Sequence, residues 1–380
     1  MSNKIKQQLI EIFDASVQQV AGFNACYQHV KHASFHNDGF QPDLILAVGK
    51  AASGMCAGAL SALTRPCPAL VVTKYQHTDP QLLAFDDVKI IESAHPVPDE
   101  NSLLAGEALI QAAQSQDEDS HLLLLVSGGA SALAESLPQE TSLAQWQQLT
   151  DQMLSRGFNI GQINSVRKET SLIKDGKLLS HFKGKRVKVL AISDVEGDSI
   201  SVIGSGIGDT ARANCDTQTD LIATNAIARE AAASHAASLG YTVNTNTENM
   251  YRDVYEVAAQ IAEQLLSAQP GSYVFGGEPT VVLPENPGSG GRNQSLALAL
   301  AIAIKGREDI HILVAGTDGS DGPTDAAGGI VNGDTVDEIA TAQQYLDVAD
   351  AGSYLRQQNA IFITGPTNTN VMDLVIAVIT

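Results

Sequence analysis

The chain has 380 residues, 44% of them hydrophobic, which is enough for two domains with cores of their own. Asp and Glu number 43 against 23 Lys and Arg, a formal net charge of -20, so the average surface repels nucleic acid and anionic membrane and neither is a main partner. Cys26, Cys56, Cys67 and Cys215 show no CxxC or other metal-ligand spacing and read as reduced thiols of a cytoplasmic protein.

Ile5, Leu9, Ile12, Phe13, Val17 and Val20 recur at helical spacing between charges, so the N-terminus reads as an amphipathic helix and not as a signal peptide. Beyond it, apolar runs at 44–48, 69–72, 88–91, 122–126 and 187–192 alternate with helix-length segments. Continuous apolar strands of this kind build a parallel sheet covered on both faces, and such sheets take ligands at the carboxyl ends of their strands. The unusual residues gather at those ends: VGKAASG after the first run, ESAHPVPDENS after the third, VSGGASAL after the fourth and ISDVEGDSISVIGSG after the fifth. A helical segment at 225–239 and a polar run at 244–248 precede a second set of apolar runs at 273–275, 280–283, 310–315, 360–363 and 374–379. The expected domains are 1–245 and 246–380.

The second set carries the stretch GSGGRNQSLALALA, from Gly288 to Ala301. Its glycines, Gly290 and Gly291 among them, let backbone N–H groups approach a ligand, and the helix beginning near Asn293 adds free donors and partial positive charge. Arg292 at the junction can fork two donors onto a carboxylate or phosphate. The helix that follows is apolar all round, so burial is expected to hold the loop rigid. The bland alternative is a Gly-rich turn opening a core helix.

Lys50 follows Gly49 at a strand end, where it faces an anion or is merely solvated. Ser127, Gly128, Gly129 and Ser131 in SGGAS form a phosphate cradle or a tight turn before another buried helix. Neither a Walker A loop nor a well-spaced GxGxxG occurs in the chain. Asp194 ends a strand in ISDVEGD; it could hold Mg²⁺, accept a hydroxyl proton or cap a helix. Among Asp318, Asp321 and Asp325 one is functional and the others are turn-forming or solvated. Asn164 and Arg167, with Lys168, lie on a basic helix whose cations reach the site or face water. His95 is a catalytic group or a loop-fixing one.

In family order, VGKAASGM, HPVPDENS, VSGGASAL, INSVRKETSLIKDGKL, ISDVEGD, GGEPTV, GSGGRNQSLALALA, GTDGSDGPTDAAG and TGPTNTNVMD run through nearly the whole chain. Together they resemble the glycerate 2-kinases, the class II glycerate kinases whose C-terminal part is the MOFRL domain. The sequence departs from the family at Ser205-Gly206-Ile207, where SGP is usual. The resemblance implies an α/β protein: an N-terminal Rossmann-like three-layer α/β/α domain, a C-terminal α/β MOFRL-type domain and an active cleft between them. It implies transfer of the ATP γ-phosphoryl group to the 2-hydroxyl of D-glycerate, with Mg²⁺, and leaves a homodimer open. Lys50, Asp194 and Arg292 match the family's catalytic trio, with Asp194 also the metal candidate. Glu278, Asn293 and Asp318 join the glycine loops, Asn164 and Arg167 as substrate- and phosphate-binding candidates. The rivals are a hydroxypyruvate reductase using NAD(P)H, which needs a dinucleotide fingerprint, and a non-catalytic sensor of a small acid.

Overall fold

The structure is a computed structural model that describes residues 1–36, 38–155 and 160–380. Contacts divide it into two compact units, Val20–Thr224 and Met1–Gln19 joined with Asn225–Thr380.

The first unit is built on β1 (Leu44–Val48), β2 (Ala69–Lys74), β3 (Val88–Ser93), β4 (His121–Val126), β5 (Arg186–Ile192) and β6 (Asp216–Ala223). All pairings are parallel, in the order β3-β2-β1-β4-β5-β6, so the order reverses between β1 and β4. On β1, Leu44, Leu46 and Val48 join a core with Leu109 and Ala113 of the helix Glu100–Gln114. Ile45 and Ala47 are equally buried on the other face, where the helix Ala52–Ala62 packs on β1 and β2. Strands buried on both sides need apolar residues at every position, which is why these runs are continuous. The expected three-layer architecture is present.

The second unit holds β7 (Val243–Met250), β8 (Gly271–Gly277), β9 (Ile310–Gly316), β10 (Gly328–Asn332), β11 (Ile361–Phe362) and β12 (Asp373–Ile379), in the order β11-β10-β9-β12-β8-β7. Among the described strands of this second sheet only β7 and β8 pair in parallel. One face packs on the helices Val254–Leu266 and Arg292–Ala303, whose Leu296, Leu298 and Leu300 are fully buried. Burying each such leucine is worth about 2 kcal/mol, so the helix start has a firm base.

Contacts divide the chain differently from the expected 1–245 and 246–380. The helix Asn225–Ser238 lies against β7 and β8. The N-terminal helix Asn3–Val20 sets Phe13 edge-on to Phe362 of β11, with ring centroids 5.3 Å apart, and Gln8 accepts from Tyr241 at 2.7 Å. Three strand expectations also change. The run 280–283 is not a strand: between Pro279 and Pro284 only Thr280 bridges, to Asp253, and Val282 is 85% exposed. The polar run 244–248 lies inside β7, and β6 and β10 had no counterpart among the apolar runs. The helix expected after SGGAS is a single turn, Ala130–Leu133, after which Ala134 turns extended. Among the described residues no helix is long and apolar enough to cross a membrane.

Candidate active site

In the first unit the loops after β1 and β4 are tied together at the point where the strand order reverses. The Lys50 N–H donates to the Gly128 carbonyl at 2.9 Å, and the Ala51 N–H donates to the Ser127 hydroxyl at 3.0 Å. A Cβ on Gly128 would stand 1.9 Å from an Asp194 carboxylate oxygen, so only glycine lets Asp194, just past β5, close over this loop. Gly129 has φ 83°, and a Cβ there would meet Lys50 Cγ at 3.0 Å and His95 Cδ2 at 3.2 Å. Lys50, Asp194 and His95 thus converge on two glycines at the carboxyl edge of the sheet, where this fold class takes its ligands.

The surroundings are cationic. Burial, then Lys50, Lys74, Arg167 and His77, push His95 down to about 4, so the imidazole is neutral at physiological pH. Burial also lowers Arg167, against the attraction of Glu135. Among the described residues neither Lys50 nor Lys74 forms an ion pair. Positive charge kept unpaired in a protein of net charge -20 is what an anionic substrate requires.

Supporting groups hold these loops. Asp99 caps the helix Glu100–Gln114 in a capping box with Ser102, accepts from the Tyr75 hydroxyl at 2.6 Å and takes the Ala94 N–H at 3.3 Å, fixing the backbone next to His95. Behind SGGAS, Lys174 and Glu135 form a fully buried ion pair at 2.5 Å, and Lys174 also donates to the Ala134 carbonyl. Ser205, at φ 56°, hydrogen-bonds Ser131 at 2.7 Å and donates to Asn164 at 3.1 Å, and Arg167 donates to Asn164 at 3.4 Å. Ser131, Asn164 and Arg167 are therefore linked through the segment where the sequence departs from the family pattern.

In the second unit, Arg292 begins its helix at the end of the sheet where β8 and β9 finish and β12 starts; Asp373 pairs in register with both Gly277 and Gly316. Asp373, 1% exposed, receives Arg292 Nε at 2.6 Å, Nη2 at 3.2 Å and Asn293 Nδ2 at 2.9 Å. Glu278, 43% exposed, receives Nη1 at 2.6 Å. Burial works to lower Arg292, but Asp373 and then Glu278 override it and hold the guanidinium above its ordinary range. Burial pushes Asp373 up to about 6, against the pull of Arg292 and Asn293.

The helix start expected to receive a bound anion already has one. Asp321, 3% exposed, accepts from the N–H of Asn293 at 3.0 Å, the N–H of Gln294 at 2.7 Å and the Gln294 amide at 2.9 Å. Its carboxylate occupies the Asn293 N–H that was expected to face a ligand, and the Gln294 N–H beside it. Asp318 accepts from the N–H and hydroxyl of Ser320, a turn-forming role, and Asp325 pairs with Arg356 at the surface. Sequence reasoning missed Asp373 as the anchor of Arg292; its one signal was its place at the end of TGPTNTNVMD.

Lys50 and Asp194 belong to one unit and Arg292 to the other. Two family models likewise separate Lys50 and Asp194 from Arg292. A family described as a domain of unknown function, DUF4147, matches residues 8–239, and the MOFRL family matches residues 271–373. The D-glycerate 2-kinase of Thermotoga maritima is 34% identical, with 88% of this chain and 90% of that one covered. The glycerate 2-kinase of Pyrococcus horikoshii is 33% identical over 88% of this chain and 87% of its own. A protein named putative hydroxypyruvate reductase, from Agrobacterium vitis, is 31% identical over 87% and 86%. The crystal structure of a glycerate kinase from Thermotoga maritima matches over 100% of both chains, with a TM-score of 0.89 and 32% identity. On identity, coverage and fold, the chain belongs to the glycerate 2-kinase family.

Proposed function

We propose that the chain is a glycerate 2-kinase, moving the γ-phosphoryl group of ATP to the 2-hydroxyl of D-glycerate to give 2-phosphoglycerate. The observation that carries this reading is the meeting of Lys50 and Asp194 over Gly128 and Gly129 at the reversal point of the parallel sheet. Phosphoryl transfer asks the protein mainly to position oxygens and offset charge. Lys50 and Arg292 are the cations this reading assigns to the substrate carboxylate and the transferring phosphoryl oxygens, and the Gly128–Gly129 loop brings backbone close to the phosphates. Asp194 orients the 2-hydroxyl and accepts its proton.

Mg²⁺ fits this set of residues. It takes one or two carboxylates and fills its shell with water and phosphate, and Asp194 offers a carboxylate beside the glycine loop. Asp194 would hold the ion together with phosphate oxygens of the nucleotide. When bound it offsets phosphate charge. The cytoplasm, where ATP is abundant, is the compartment this reading assigns; burial raises the thiols of Cys26 and Cys56, in keeping with inert cysteines.

The test is phosphorus NMR of the enzyme with ATP, Mg²⁺ and D-glycerate. The expected product is 2-phosphoglycerate, and Asp194→Asn should lower kcat by about 10²-fold or more with an unchanged melting curve. A 3-phosphoglycerate signal overturns the positioning of the 2-hydroxyl. NADH formation that depends on glycerate, without a phosphorylated product, favours the reductase name that some relatives carry.

A further inference from the structure

Arg292 has five N–H donors, and their use is uneven. Asp373 takes Nε and one hydrogen of Nη2 from the side; it is buried and further held by Asn293. Glu278 takes one hydrogen of Nη1 from the end of the fork; its own side chain is 43% exposed and that single bond is its contact with the guanidinium. The end of the fork carries one hydrogen of Nη1 and one of Nη2, so departure of Glu278 leaves that pair open to a ligand, and the Arg292 side chain is 34% exposed. That end has the geometry that receives two oxygens of a carboxylate or phosphate.

We infer that the two carboxylates on Arg292 have different jobs: Asp373 is a positioning residue that holds the guanidinium permanently, and Glu278 is an exchangeable stand-in that yields its place to an oxyanion of the substrate. A buried carboxylate with three hydrogen bonds does not leave at small cost, because its departure strands the guanidinium and an amide. A half-exposed carboxylate with one bond does, because water solvates it as it swings out. Glu278 keeps the open end of Arg292 neutralised between turnovers and sets a threshold that a substrate anion must exceed. The inference rests on the glycerate 2-kinase reading for the identity of that anion, which is either the carboxylate of the hydroxy acid or a phosphate of the nucleotide.

The test is Glu278→Gln, measured both by steady-state kinetics and by calorimetric titration with D-glycerate alone and with a non-hydrolysable ATP analogue alone. Glutamine keeps the shape and removes the competing charge. Releasing an exposed ion pair should tighten the displacing ligand roughly two- to five-fold. Tightening confined to D-glycerate identifies the carboxylate as the displacing group, and tightening confined to the analogue identifies phosphate. Equal or weaker binding of both ligands overturns the stand-in role. For Asp373, a double-mutant cycle separates positioning from general stability: once Arg292→Ala is present, Asp373→Asn should cost no further kcat/KM, whereas an independent structural role predicts a second loss. The titrations remain informative if the wild-type protein makes no 2-phosphoglycerate, so failure of the kinase reading and failure of this inference are told apart.

Discussion

Replacing Asp321 by alanine removes the internal anion at the start of the helix Arg292–Ala303. Three donors at 2.7–3.0 Å lose their acceptor, all in the interior. Hydrogen bonds to an ionised group contribute about 1.5–3 kcal/mol each, whereas burial of the carboxylate, which raises Asp321 from its usual range, takes back part of that. Loss of a helix cap alone costs about 0.5–2 kcal/mol. The net expectation is a loss of roughly 2–4 kcal/mol, and at 2–4 °C per kcal/mol for a domain of this size the melting temperature falls roughly 5–15 °C. Asp321→Asn should be nearly as costly, because an amide turns two hydrogens toward a cluster of donors. The assay is thermal unfolding followed by circular dichroism, with kcat/KM measured well below the transition. A loss below about 1 kcal/mol together with collapse of activity would refute the capping argument, since it would mean that Asp321 faces a ligand.

Three further outcomes follow from the site. Lys174→Met or Glu135→Gln alone should destabilise the first unit by about 3–5 kcal/mol, because each leaves a buried charge without its partner, and the double substitution should recover much of that in urea unfolding. His95, held down at about 4 by burial and neighbouring cations, should stay neutral in NMR titration until the pH approaches that value. Its neutral form supports the folded state fully above its unfolded value near 6.5, and that support is lost as the pH falls toward about 4; a titration midpoint at 6 or above would contradict the burial argument. Arg292→Lys should lose nearly as much kcat/KM as Arg292→Ala, because an ammonium cannot reproduce the fork that meets Asp373 from the side and an anion from the end; retention of wild-type kcat/KM by the lysine variant would remove Arg292 from anion binding.

The strands that could be read from residues alone are those buried on both faces. LILAV of β1 and HLLLLV of β4 have no polar position in their centres, because helices cover both sides. At the sheet margins that demand relaxes: β6, DTQTDLIA, and β7, VNTNTENM, are edge strands whose side chains are largely solvated, so their sequences look like loops. The run 280–283 misled for the opposite reason, being apolar where the flanking prolines do not permit a paired strand. Lys50, Asp194 and the SGGAS glycines were legible because a residue at a parallel strand's carboxyl end has a defined place. The partners of Arg292 were not, since Asp373 lies 81 positions away and an ion pair between distant positions leaves no local pattern. The same holds for Asp321, 28 positions from the N–H it caps, which the spacing left indistinguishable from Asp318 and Asp325.

The position of β12 bears on how the second unit assembles. It lies between β8 and β9, antiparallel to both, and follows each of them in the chain, so until it arrives the ribbon of β7 and β8 and the ribbon of β9 and β10 share no ladder. Pairing over such separations closes long loops before any bond compensates for them, which favours a late, cooperative step. The amides of β12 should therefore exchange with solvent only through opening of the whole unit, as one block with those of β8 and β9. Asp373 is the first residue of that strand. The carboxylate that orients Arg292 thus comes into place with the strand that joins the two ribbons, so a chain stalled short of its final topology carries the arginine but cannot aim it.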